Sequence, residues 1–361
     1  MRTLHPSRTA VIAGIVMAVL LLGGCRKDVA LEEEQVFDPT PYDLHLPAWV
    51  LDSIGPMPVP PDNPTTVEGV QLGRKLFHDK ALSNDGTISC ATCHVQASGF
   101  SDPRTVSVGT DGTAGTRNAM ALVNLGWSNT LFWDGRRTTL EEQAHDPVTN
   151  PIEMANSWTV VVERLQAGPD YPELFFRAFG TRQVDSLLVV KAIAQFERTL
   201  VSFGSRFDRF HYEGDMDALT EQELLGLDLY VGRAKCVRCH PMGLTTDDSL
   251  RVVGLDAVPI DLGVGGITGM PRDMGRFKVP TLRNIAASAP YMHDGRQADL
   301  EASVQFYNSH LQQVLNIDTI LRPFLQEPLD LSFEEQDALE RFLHTFTDPG
   351  FLTDPRFGPP E

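Results

Sequence analysis

Cys90-Ala91-Thr92-Cys93-His94 lies in the first half of this chain and Cys236-Val237-Arg238-Cys239-His240 in the second. Each sits at the same place in a longer repeated order. The first copy begins with Gly73-Arg74-Lys75-Leu76-Phe77. After its cysteine motif come Arg117-Asn118, Trp133-Asp134-Gly135-Arg136 and Leu140-Glu141. The second begins with Gly226-Leu227-Asp228-Leu229-Tyr230. After its motif come Arg283-Asn284, His293-Asp294-Gly295-Arg296 and Leu300-Glu301. The spacing from Asp-Gly-Arg to Leu-Glu is the same in both. A repeat this long implies two copies of one folding unit, since solenoid repeats have shorter periods.

The elements between these motifs read as helices. Thr220 with Glu223 three residues on forms a capping box for a helix over Ala218 to Val231. Leu224, Leu227 and Val231 then give it an apolar stripe. Leu187 to Leu200 and Phe333 to Phe346 show the same period. Gly254 to Gly275 carries glycine turn signals, and the halves meet near Gly204 to Ala218. The expectation is a mostly α chain of two like domains in tandem, over residues 66–210 and 211–350, with a tail over 351–361.

The chain has 361 residues, 42% of them hydrophobic, enough for two proper cores. Its formal charge of -18 excludes nucleic acid as a partner and suits a basic protein or a neutral small substrate. The first segment reads as a targeting signal. Arg2 and Arg8 form a positive region, and the apolar run Ala10 to Leu22 is short for a membrane span. It ends in Leu22-Gly23-Gly24-Cys25, which resembles a bacterial lipobox, with residues 1–24 removed and Cys25 acylated. The plainer reading is a lone cysteine after an uncleaved anchor. Residue 26 is Arg rather than Asp, which favours the outer membrane. Residues 26–65, rich in Pro, Glu and Asp, read as an extended tether.

Five cysteines are too few for a disulfide scaffold. Two thiols at i and i+3 reach the two vinyl groups on one porphyrin edge, and the adjacent His then lies below the ring to ligate the iron. A redox cysteine pair does not need the following His. A zinc site built from both pairs leaves two His surplus. Two covalent c-type hemes on Cys90, Cys93, Cys236 and Cys239, with His94 and His240 as proximal ligands, account for the pattern. With Cys25 acylated, all five cysteines are then used.

From about Val67 to Phe346 the chain resembles the bacterial diheme cytochrome c peroxidase family, including its MauG-type members. The resemblance rests on Leu72-Gly73-Arg74-Lys75-Leu76-Phe77, Phe132-Trp133-Asp134-Gly135-Arg136, Val279-Pro280-Thr281-Leu282-Arg283-Asn284 and Ala289-Pro290-Tyr291-Met292-His293-Asp294-Gly295. It implies that the two tandem domains are cytochrome c-like, that the N-terminal heme reacts with hydrogen peroxide, and that the C-terminal heme relays electrons from a small redox protein, a cytochrome c or a cupredoxin. It places Gln143 and Glu153 over the open face of the first heme, where a carboxylate can move a proton between the peroxide oxygens. Without it, spacing alone makes them a surface Gln and a capping Glu. It puts Trp133 between the hemes, and Asn118 with the carbonyls of Ser288 and Pro290 at a calcium site.

Two positions depart from the usual peroxidase pattern. Thr110, a poor iron ligand, stands where many of these enzymes place a His that caps the first heme. Tyr307 stands where they place a Met on the second heme, and MauG-type proteins use Tyr there. Leu300, Val304, Tyr307 and Leu311 also share one helical face, so Tyr307 reads equally as core, with Met270, Met274 or Met292 as the ligand. The expected activity is peroxide reduction. The rivals are a MauG-like oxidation of residues on a partner protein and electron transfer without catalysis.

Overall fold

The repeated glycines mark two helix crossings. This computed structural model describes residues 36–360, in which helices dominate and the only paired strands are Leu250–Arg251 and Phe277–Lys278, antiparallel. Six helices carry the repeat: α1 (Val67–His78), α2 (Leu140–Thr149) and α3 (Ser186–Arg198), then α4 (Glu221–Val231), α5 (Leu300–Ser309) and α6 (Phe333–His344). Gly73 of α1 lies against α3 so closely that a Cβ there would sit 1.9 Å from the Ala192 carbonyl oxygen. Gly226 of α4 meets α6 in the same way, 2.0 Å from the Ala338 oxygen. In each crossing a phenylalanine, Phe196 or Phe342, packs beside the glycine.

The expected helices are present with trimmed ends. Thr220 and Glu223 form the capping box, with the Glu223 amide donating to Thr220 Oγ1 at 3.3 Å and the Thr220 amide to Glu223 Oε2 at 2.8 Å. The stripe on α4 differs from the expected one. Its buried residues are Glu223, Gly226, Leu229 and Tyr230, while Val231 is exposed. The glycine crossing sets the face, because the closest helix approach must fall where no Cβ stands.

One core gathers residues from Val70 to Leu200, and a second gathers residues from Phe207 to Phe346. The repeat extends to loop geometry. Asn124 and Asn284, Phe132 and Met292, and Gly135 and Gly295 are each 160 residues apart, and all have positive φ. The bridges Leu131–Arg137 and Tyr291–Gln297 keep the same separation.

Residues 37–65, read as tether, lie on the body. Trp49 stacks on Tyr212 with centroids 3.8 Å apart, Trp127 Nε1 donates to the Gly55 carbonyl at 3.1 Å, and Val50 and Asn63 are buried. Pro and acid content favours extended chain but does not prevent a few apolar side chains from docking it. The tail docks too, with Phe351 and Phe357 completing the first core. The halves are pinned by Arg117, whose guanidinium donates to Asp134 Oδ2 in its own half at 2.6 Å and to Asp261 Oδ2 in the other at 2.6 Å. Arg283, which donates to Asp208 Oδ2 at 2.6 Å with both side chains fully buried, anchors the second core. The signal region 1–24, Cys25 and the first part of the tether lie outside the described residues.

Candidate functional site

Each Cys-x-x-Cys-His motif is a short helical turn, which brings its two thiols to one side. Cys90–Cys93 is a single α-turn, and Ser89 caps it by donating its amide to Thr92 Oγ1 at 2.9 Å. Cys236–Arg238 is a 3₁₀ turn. All four cysteines are unpaired. In both motifs the histidine amide closes the turn onto the first cysteine carbonyl at 2.9 Å. The rings are then fixed from outside. His94 Nδ1 lies 2.8 Å from the Phe100 carbonyl oxygen and His240 Nδ1 lies 3.0 Å from that of Thr245. A backbone carbonyl accepts, so Nδ1 donates and Nε2 is left as the metal-binding nitrogen. Burial holds both imidazoles below the usual histidine range, in the neutral form an iron ligand needs.

The residues fit two hemes. Cys236, Cys239 and His240 line a cavity of about 300 Å³ together with Tyr307, Trp133 and His293. Its walls are mainly apolar, apart from a few charged groups such as Arg251 and Lys278, and two thiols and an imidazole sit at one end. Tyr230 supports that end by donating its hydroxyl to the His240 carbonyl. Among the described residues the Tyr307 hydroxyl has no hydrogen-bond partner, and burial pushes the phenol pKa up. Met274 and Met292 also reach this cavity and Met270 does not. The Met274 sulfur is packed against Gly265.

The first heme side is arranged differently. The Glu153 carboxylate accepts from Asn150 Nδ2 at 2.6 Å. Burial raises its pKa, and the Asn150 hydrogen bond and the charge of Arg136 oppose the rise. Glu153 acts electrostatically on both Cys90 and Cys93, whose thiols are raised first of all by burial. It therefore lies beside the first attachment turn. The backbone of Glu153 also accepts the Thr110 amide at 3.0 Å, which ties the Thr110 loop to the same place. Gln143 is half-buried on α2 with no hydrogen-bond partner for its amide among the described residues.

Trp133 stands where the two halves meet. Its Nε1 donates to the Asn118 carbonyl at 2.9 Å, and its own carbonyl accepts the Lys278 amide at 2.8 Å. Asn118 Nδ2 donates to the carbonyls of Asp102, Arg104 and Thr105, at 3.2, 2.9 and 3.3 Å, leaving Oδ1 without a hydrogen-bond partner among the described residues. Asn118, Ser288 and Pro290 border the same cavity.

Sequence reasoning missed four residues. Phe100 and Thr245 hold the proximal histidines, and both take left-handed backbone geometry with φ of 58° and 54°. That conformation is uncommon for bulky or β-branched side chains. Pro147 lies 160 residues before Tyr307, so the duplication places it at the matching point of the first half. A proline there offers no ligand. That offset was readable in the sequence. Glu197 on α3 is buried near Cys90, has an oxygen without a partner among the described residues, and is pushed by burial to about 8.

A sequence profile described as di-haem cytochrome c peroxidase matches residues 67–217. The chain is 39% identical over 307 residues to the methylamine utilization protein MauG of Methylorubrum extorquens, covering 83% of this chain and 84% of that one. It is 38% identical over 252 residues to the cytochrome c551 peroxidase of Nitrosomonas europaea, covering 69% and 75%. It resembles the crystal structure of a MauG-like protein associated with microbial copper homeostasis at a TM-score of 0.82 and 35% identity, covering 88% and 99%. The chain belongs to the di-haem cytochrome c peroxidase family. Membership makes it a two-heme oxidoreductase of the cytochrome c peroxidase type with two heme domains. The two Cys-x-x-Cys-His turns, each with a backbone carbonyl on its histidine, fit those two hemes.

Proposed function

We propose that the chain reduces hydrogen peroxide at the heme on Cys90, Cys93 and His94, with electrons from a small redox protein entering through the heme on Cys236, Cys239 and His240. The observation that carries this is the contrast between the two far sides. The second has Tyr307 with a free hydroxyl. The first has Pro147 and Thr110, neither an iron ligand, with Glu153 held by Asn150. When bound, the first heme supplies the redox chemistry of peroxide cleavage. The protein supplies an accessible side, a carboxylate at Glu153 that moves a proton between the peroxide oxygens, and an amide at Gln143 to orient the substrate. Trp133 carries charge between the halves. Asn118 Oδ1 with the Ser288 and Pro290 carbonyls holds a calcium ion, hard oxygen donors for a hard cation.

The second reading is MauG-like oxidation of residues on a partner protein. Tyr307 and the likeness to a MauG and a MauG-like protein favour it. The Leu22-Gly23-Gly24-Cys25 signal supports export to the periplasmic side of a bacterial membrane, with a lipid anchor on Cys25 and the outer membrane as the site. Among the described residues no helix is long and apolar enough to cross a membrane. Peroxide turnover with a reduced cytochrome donor tests the proposal. Rapid turnover by the diferric protein, with high-spin and low-spin ferric EPR signals together, is expected. Peroxide consumption only in the presence of a protein substrate would favour the second reading, and no consumption would leave an electron-transfer cytochrome.

A further inference from the structure

The proximal carbonyl of the first heme is held by a segment from the far end of the chain. Phe100, whose carbonyl accepts from His94 Nδ1, has its ring packed edge-on against Phe351 and Phe357, with centroids 5.5 and 6.2 Å apart. Gln96, in the same turn, donates its amide to the carbonyls of Phe351 at 3.1 Å and Asp354 at 2.8 Å. From the other side, α1 grips the segment. Arg74 donates to the carbonyls of Gly358, Pro355 and Pro359 at 2.7, 2.8 and 3.1 Å, and His78 Nε2 lies 3.0 Å from that of Phe357. The segment starts in the second half, where the Asp348 amide donates to Asn284 Oδ1 at 2.8 Å and Asp348 Oδ1 caps the short helix Pro349–Thr353. The second heme's carbonyl is held differently, from within its own half. Thr245 Oγ1 lies 3.0 Å from Thr281 Oγ1 and accepts the Leu282 amide at 2.8 Å, with no residue of 349–359 among its hydrogen-bond partners in the described residues.

We infer that residues 349–359 are a positioning element that fixes Phe100 so that its carbonyl accepts the His94 proton, and so tune the first heme and not the second. The inference rests on the reading of His94 as the first heme's ligand. A left-handed phenylalanine persists only where its surroundings over-determine it, and here those surroundings are Phe77, Phe351 and Phe357. A full-strength Nδ1–H to carbonyl bond gives the imidazole anionic character, which strengthens its donation to iron and favours the ferric state. If Phe100 relaxes, that bond weakens. The first heme's potential then rises and its iron–histidine bond softens.

Two holoprotein variants test this, Phe357→Ala and a chain ending at Asp354, which lacks Phe357 and every Arg74 contact. Resonance Raman of the reduced protein reads the iron–histidine stretch of the five-coordinate heme, and a redox titration reads both potentials. The expected result in each variant is a lower stretching frequency and a higher potential at the first heme and an unchanged second heme. Peroxide turnover should fall about tenfold, in the range seen when a metal ligand loses its hydrogen-bond partner, and Phe357→Leu should recover most of each change. A wild-type stretch and potential in both variants would overturn the inference, and so would equal shifts of both hemes, which signal general loosening. If the wild-type first heme shows no iron–histidine mode at all, the ligation reading falls on its own, whatever the variants do.

Discussion

At the residue scale the two heme sides differ through single side chains. Glu153 is one of two carboxylates near the first attachment turn, the buried Glu197 being the other, and Asn150 holds one oxygen of Glu153. Glu153→Gln keeps the shape and the neighbours and removes the base. Both hemes should be retained while peroxide turnover falls about 10²–10⁴-fold, the usual contribution of a general acid–base group. Turnover within a factor of about two of wild type would remove Glu153 from the mechanism. Because burial raises this carboxyl, the base form is lost as pH falls through a value above the ordinary glutamate range. The acid limb of the rate profile should therefore sit above that range in the wild type and vanish in Glu153→Gln. Tyr307 is the second decisive residue. Met favours ferrous iron and a tyrosinate favours higher oxidation states. Tyr307→Met should raise the second heme's potential, and Tyr307→Phe should abolish its low-spin tyrosinate EPR signal while filling most of the ring volume. Identical signals and potentials in all three proteins would make Tyr307 a core residue.

At the element scale, each half depends on a helix crossing that admits no side chain at one point. In Gly73→Ala the new Cβ would meet the Ala192 carbonyl, and in Gly226→Ala that of Ala338, backbone atoms that cannot swing aside. Each substitution should destabilise by about 1–3 kcal/mol or somewhat more, read by denaturant unfolding of the holoprotein. Gly73→Ala should disturb the first heme's spectrum more, and Gly226→Ala the second. Equal effects on both hemes would mean that the two cores do not respond separately. The same crossings explain why the apolar stripe expected for α4 was rotated. Periodicity located the helix, but the face turned inward was chosen by the closest approach to α6, which pattern reading does not contain.

At the scale of the whole molecule, contacts distant in sequence hold the fold together, and the second half turns on one buried ion pair. Arg283 and Asp208 form a fully buried ion pair, with Arg283 also donating to the Gly243 carbonyl at 2.8 Å through Nε. Arg283→Met leaves Asp208 charged and unpaired in the interior, so a loss of about 3–5 kcal/mol is expected. A loss under about 1 kcal/mol in a urea titration would show that water reaches the site and compensates.

The sequence by itself determined the attachment chemistry, the duplication and the main helices, because each is written in local spacing. Thiols at i and i+3 followed by His, and Thr220 with Glu223 at a helix start, both act over one or two turns. The identities of Thr110 and Tyr307 were also legible, as departures within a resemblance. Only the tertiary structure decided where those groups point and what holds them. Phe100 and Thr245 became proximal acceptors through left-handed backbone geometry that no composition signals. Residues 37–65 and 351–359 looked like tether and tail because loops of Pro and acids carry no period. A few aromatic side chains, placed by contacts spanning up to the whole chain, docked both onto the body. Burial of such scattered anchors depends on surfaces that exist only after the two halves have folded.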